Sequence, residues 1–202
     1  MKKLPVLLAV TLLAVGADVV SADVLTPVII NNSTAFAGFP VSDFIDGNIL
    51  TDYASAGQGA NTFVDFDFGS PKQIAKVTYT DRTSSGGNNG SGAGGPGDNV
   101  LSYNLVFRLN DANFGTAGDT TVGPIPSPGF TNTDPPVLIN GGAGILARFV
   151  EFKVVTTNGA NPGGAEIVFE SPAGVPEPST LLLAGLGGLS LAGYAWRRRR
   201  AV

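Results

Sequence analysis

The clearest pattern in the chain is an alternation of period two. Leu101, Tyr103, Leu105, Phe107 and Leu109 are apolar and are separated by Ser102, Asn104, Val106 and Arg108. Successive side chains of a strand point to opposite faces, so this spacing predicts a half-buried strand. Similar runs cover Thr62 to Phe68, Ile74 to Thr80, Leu146 to Thr156 and Glu166 to Glu170, with weaker ones at Val24 to Ile30 and Val41 to Ile45. Helical periodicity is absent between residues 23 and 174. Seven or eight short strands separated by Gly, Pro and Asn turns predict an all-β fold, an antiparallel β-sandwich. Two stretches read as long loops: the glycine-rich run 84–99, whose residues offer little to pack and which is predicted to be mobile, and the irregular run 110–136.

Two continuous apolar runs break the alternation, one at each end. Lys2 and Lys3 precede Leu4 to Ala17, and Val20-Ser21-Ala22 follows. Charge, apolar core and small residues in that order read as a secretory signal, cut by signal peptidase after Ala22. Near the other end Val175-Pro176-Glu177-Pro178 stands before the apolar stretch Ser179 to Trp196, which Arg197, Arg198, Arg199 and Arg200 close. As a helix, that stretch spans roughly 27 Å, enough for a bilayer core. Pro178 sits where a helix can start. The arginines place the C-terminus in the cytoplasm, with Tyr194 and Trp196 at headgroup level. The predicted organisation is therefore a signal peptide at 1–22, a passenger domain at 23–174 and a sorting segment at 175–202, with the membrane helix at 179–196 and the basic tail at 197–200. Ala184, Gly188 and Ala192 recur every four residues, but a segment so rich in Gly and Ala produces that spacing without a helix partner.

The tail from Val175 to Arg200 resembles the PEP-CTERM sorting signal, also known as the ice-binding protein C-terminal region, a label that concerns the tail and implies nothing about ice. The resemblance implies export across the inner membrane of a Gram-negative bacterium. It also implies recognition of Pro-Glu-Pro by an exosortase and anchoring until processing, then residence in the cell envelope or outside it, in producers of exopolysaccharide.

Composition removes much of enzymology. The 202 residues contain no His and no Cys. That excludes Ser-His-Asp and Cys-His catalysis, His- or Cys-ligated zinc, iron–sulfur clusters and disulfides. The whole chain has a net charge of −4, but residues 23–174 hold 14 acidic residues against six basic ones, a net −8. Such a domain disfavours nucleic acid, which needs clustered cations, and suits calcium or neutral sugars better.

The first half of the passenger carries Phe44-Ile45-Asp46-Gly47-Asn48-Ile49-Leu50-Thr51-Asp52-Tyr53-Ala54-Ser55, then Phe63-Val64-Asp65-Phe66-Asp67-Phe68-Gly69 and the strand Ile74 to Thr80. Late in the chain come Ala147-Arg148-Phe149-Val150-Glu151-Phe152 and Ala165-Glu166-Ile167-Val168-Phe169. In this order the segments resemble the discoidin, or coagulation-factor type C, domain, a galactose-binding-like jelly roll. Tyr53 stands where that family usually has Trp, and the run 84–99 is longer than the family pattern. The resemblance implies a structural calcium ion, the one cofactor expected, on Asp46, the Asn48 carbonyl, Thr51, the Ala165 carbonyl and Glu166. Hard oxygens suit calcium, and Gly47 permits the tight turn that lets Asp46 and Thr51 converge. The same residues also suit an Asx turn with no metal.

Asp65 and Asp67 share one strand face, a spacing that a carboxylate glycosidase could use, yet Asp67 matches a structural position of the discoidin pattern and Arg148 resembles that family's structural strand arginine. No catalytic residue is assigned. For ligand contact, Tyr53, Arg82, Phe114 and Phe130 are candidates by loop position, since rings stack on sugars and Arg donates to hydroxyls; each also suits core or turn packing. The resulting reading is an exported, non-catalytic envelope protein that binds exopolysaccharide or another glycan. The alternatives are a structural matrix protein of a biofilm without a pocket and a carboxylate glycosidase.

Overall fold

A computed structural model describes residues 21–82, 98–127 and 135–174 of the chain. Those between Ala22 and Pro172 belong to one compact unit. The signal run, the sorting segment from Val175 to Arg200 and Phe130 lie outside the described residues, as does most of the glycine-rich run. Among the described residues no helix is long and apolar enough to cross a membrane.

The unit is an antiparallel sandwich. In chain order the strands are β1 (Val24–Leu25), β2 (Val28–Asn32), β3 (Tyr53–Ala54), β4 (Phe63–Ile74), β5 (Lys76–Thr80), β6 (Val100–Arg108), β7 (Thr120–Pro126), β8 (Val137–Leu138), β9 (Ile145–Thr157), β10 (Gly163–Gly164) and β11 (Glu166–Glu170). Five of them form one sheet in the order β2-β4-β9-β6-β7, four form the other in the order β1-β11-β5-β8, and β10 pairs with β3. The period-two runs become the long central strands because both sheets bury one face. Phe152 of β9 lies at the centre of the core, its ring 5.0 Å from Tyr103, 5.2 Å from Tyr79 and 5.3 Å from Phe44. Rings in this range pack edge-on or offset, and each fully buried one contributes on the order of 2–3 kcal/mol.

Three local departures from the sequence reading have physical causes. The run Val24 to Ile30 is not one strand: the buried Pro27 interrupts it, so β1 joins the four-stranded sheet and β2 the five-stranded one. The run Val41 to Ile45 is not a strand but carries a 3-10 turn over Val41–Phe44, entered from Pro40, whose carbonyl accepts the Asp43 amide at 3.1 Å. Inside the irregular run 110–136 lies β7, an edge strand whose Pro124 and Pro126 need no ladder partner on the open side and whose mostly exposed residues show no alternation.

Strand direction defines two ends of the sandwich. Val100 at the start of β6 pairs with Thr157 at the end of β9, and Glu166 at the start of β11 pairs with Thr80 at the end of β5. The loop after β6, residues 109–119, therefore leaves from the opposite end.

Candidate functional site

The first-named end gathers the chain segments 45–52, 81–82, 98–99 and 158–165. Segment 45–52 is anchored by Phe44, wholly buried among Tyr53, Phe66, Tyr79 and Phe152. Beyond it the chain reverses at Gly47, where φ is +77° and a side chain would be strained. The turn then closes on Asp46: Oδ1 accepts the Asn48 amide at 2.8 Å, and Oδ2 lies 2.8 Å from the Thr51 hydroxyl. That hydroxyl is also 2.8 Å from the Asn48 carbonyl, and its single proton serves one of the two oxygens at a time. From across the sandwich Glu166 reaches the same turn, its Oε2 accepting the Gly47 amide at 2.7 Å. Burial pushes the Glu166 carboxyl up to about 7, against the pull of that amide and with Asp46 nearby adding to the rise. Ala165, just before it, donates its amide to the Thr80 carbonyl at 2.9 Å.

The structure thus brings Asp46, Asn48, Thr51 and Glu166 together. Three hard oxygens meet with one proton between them, beside a buried carboxylate, and that donor set fits calcium in type. It rests on two carboxylates only: no cluster of three or more acidic side chains that could hold a metal is found among the described residues. The Asx turn is also present, so the turn residues serve both arrangements.

A second polar network lies alongside. Arg82 is 2% exposed, its guanidinium 5.1 Å from the centre of the Phe39 ring, its Nη1 donating to the Asn161 carbonyl at 2.9 Å and its Nε 4.0 Å from Asp52. Among the described residues its Nε and Nη2 find no hydrogen-bond partner. Burial pulls the Arg82 pKa down, while Asp52, Asp98, Tyr79 and Asp81 oppose the shift. Asn161 is held in turn, donating its amide to Asp98 at 3.0 Å and accepting the Gly57 amide at 2.8 Å. The segment 158–165 sits so close to β3 that a Cβ on Gly163 would collide with the Tyr53 carbonyl, 2.7 Å from its carbon.

The four residues named as ligand contacts do not converge. Tyr53 is core rather than surface: it is wholly buried, its hydroxyl donates to the Ser33 carbonyl at 3.1 Å, and burial pushes its pKa up to about 12. The position suits any large ring, which is why the sequence pattern marks it. Arg82 lies at the polar end. Phe114 is half-buried in the loop at the opposite end, and Phe130 lies outside the described residues. Sequence reasoning missed Asp52, Asp98, Asn161 and Phe39. The turn-rich run Asn158 to Gly164 was the available signal for Asn161, while Phe39 carries no signature beyond its aromaticity.

The pair Asp65 and Asp67 shares a face, as the spacing predicts, but the two are differently engaged. Arg148 grips Asp67 through two hydrogen bonds of 2.9 Å, and these hold the Asp67 carboxyl below its usual range, while Asp65 takes the Asn31 amide at 3.0 Å.

Comparison with known proteins bears on the fold and on the tail. The F5/8 type C domain matches residues 29–167, and the PEP-CTERM protein-sorting motif matches residues 174–200. No curated protein matches the chain. Among solved structures the fold is similar to the family 32 CBM from C. perfringens NanJ in complex with galactose, with a TM-score of 0.58 at 15% identity over 75% of this chain and 100% of that one. It is also similar to chitosan-binding module 1 of a Paenibacillus chitosanase/glucanase, with a TM-score of 0.53 at 17% identity over 72% of this chain and 95% of that one. The lectin domain of lectinolysin, complexed with Lewis B antigen, gives a TM-score of 0.51 at 16% identity, covering 71% of this chain and 92% of that one. With its segments in family order over well more than half its length, and a sorting motif behind them, the chain belongs to the F5/8 type C domain family.

Proposed function

We propose that this chain is an exported, exosortase-sorted, non-catalytic protein whose sandwich binds a glycan, exopolysaccharide being the class in view, through the end that carries Arg82. The carrying observation is the polar network around Arg82, whose guanidinium lies over the Phe39 ring, holds the Asn161 carbonyl and faces Asp52, tying together the chain segments that meet at this end. A planar guanidinium of this kind orders several neighbours at once in a way that Lys cannot, so Arg82 would act by positioning the exposed parts of these segments. Asp46, the Asn48 carbonyl, Thr51, the Ala165 carbonyl and Glu166 would hold a calcium ion beside it. That ion would supply the positive charge that lets the Asp46 and Glu166 carboxylates share one turn. Segment 46–51 leads directly into Asp52, which faces Arg82, so ordering the turn orders one wall of the arginine's surroundings. The glycans bound by structurally similar modules support the reading, as does the sorting motif, which supports export and processing by an exosortase, with signal peptidase and the inner membrane as the further partners of that route. Net charge −8 keeps nucleic acid out of it.

The test is a glycan array that includes bacterial exopolysaccharides, probed with the full-length protein in calcium and in EDTA. Saturable binding to one glycan, weakened in EDTA, is expected. Folded protein that binds nothing on the array would contradict the reading and favour a structural matrix role, and turnover of a glycoside would point to the glycosidase.

A further inference from the structure

Asp65 on β4 and Glu151 on β9 are direct cross-strand partners. Both are acidic, yet they are only 4% and 8% exposed. Their neighbours Val64, Phe66, Val150 and Phe152 point into the core, which fixes both carboxyls on the outer face of the five-stranded sheet. Like charges directly opposite each other on a sheet repel. One Asp65 oxygen, Oδ2, accepts the Asn31 side-chain amide, but Oδ1 is buried and receives no hydrogen bond among the described residues. A buried carboxylate oxygen without a donor is costly, and a proton on Glu151 is the donor that the facing strand can supply.

We propose that Asp65 and Glu151 share one proton, a carboxyl–carboxylate hydrogen bond that ties β4 to β9 and makes the domain most stable in mildly acidic surroundings. The groups around the pair leave it this role. Lys153, further along β9, attracts both carboxyls, and among the described residues it forms no ion pair with either, while Asp119 repels Glu151. Arg108 on β6 is taken up by Asp111, Asp119 and Thr116, and Asp67 is taken up by Arg148. Val106 of β6 lies opposite Glu151 and offers no donor side chain, and β2 contributes Asn31. Burial pushes Asp65 up to about 6 and Glu151 up to about 7, with Asp65 adding to the rise at Glu151. Both lie above their unfolded values of 3.8 and 4.5, so between about pH 4 and pH 7 the folded pair keeps a proton that the unfolded chain has released. Stability therefore falls as pH rises through that window.

The test is the thermal midpoint of the full-length protein in mild detergent and EDTA, followed from pH 5 to pH 8 by the near-ultraviolet dichroism of the buried Tyr53, Tyr79 and Tyr103. A drop on the order of 5 °C is expected in the wild type. Glu151→Gln and Asp65→Asn each supply a permanent donor, so each should remove the same part of the drop, and the double variant should remove no more. Single variants that leave the drop unchanged, or a double variant that removes the sum of two separate parts, would overturn the proposal. Should neither variant fold, carboxyl carbon NMR of the wild type decides. A linked two-step titration with one proton lost above pH 6 supports the shared proton, and two carboxyls ionised below pH 5 overturn it.

Discussion

Glu166, at the first position of β11, accepts the amide of Gly47 at 2.7 Å across 119 residues of sequence. This bond joins the turn that carries Asp46 and Thr51 to the four-stranded sheet. It also explains why a buried carboxyl is tolerated there, since the amide offsets part of its desolvation.

The first prediction concerns calcium. If the oxygens of this turn hold the ion, millimolar calcium stabilises the folded chain, by about 2.7 kcal/mol at a hundredfold excess over Kd. Differential scanning calorimetry in calcium and in EDTA reads the effect, which Asp46→Asn should largely remove. Equal midpoints in the two buffers would rule out the ion at this turn.

Tyr53 separates core from contact. Because its ring is wholly buried and its hydroxyl serves the Ser33 carbonyl, Tyr53→Phe should cost about 1 kcal/mol in urea unfolding and leave glycan affinity unchanged. A large loss of affinity at unchanged stability would return Tyr53 to the binding surface.

Gly163 leaves no room for a side chain. Because a Cβ at this position would run into the Tyr53 carbonyl, Gly163→Ala must push β10 away from β3, at a cost of about 1–3 kcal/mol. A urea midpoint equal to that of the wild type would show that the two strands are not packed this closely.

The Asp67–Arg148 pair predicts the acid limb of stability. Its hydrogen bonds hold Asp67 below the ordinary value of 3.8, so the contribution is fully present above that value and is lost as pH falls through the lower, folded one. Arg148→Ala should flatten this limb below pH 4 and lower stability only slightly at neutral pH. Acid unfolding curves that coincide for the two proteins would contradict it.

Much of the sandwich is legible in the sequence because its long strands bury one face and so write their geometry as alternation. Leu105 and Phe107 point inward as their spacing says, while β7 is silent because an exposed edge strand with two prolines has no buried face to record. The turn at residues 46–51 is legible for a different reason: Gly47 and its short polar neighbours act locally, so their order in the chain is nearly their order in space. Arg82 is recognisable as a loop arginine, but its partners are not. Asp52, Asp98 and Asn161 reach it from three segments whose approach depends on the packing of β3 against β10, and no local pattern encodes that. Tyr53 misleads for a related reason, since an aromatic residue beside a polar turn looks the same whether its ring faces solvent or core.

The most direct test of the account is calorimetric titration of the wild type, Arg82→Lys and Tyr53→Phe with the glycan the array selects, all in calcium. Tight, saturable binding is expected for the wild type and for Tyr53→Phe, and a loss of about tenfold or more for Arg82→Lys, corresponding to roughly 1.4 kcal/mol or more, because Lys cannot order the same segments. Equal affinity in Arg82→Lys and the wild type, with both proteins folded, would contradict it.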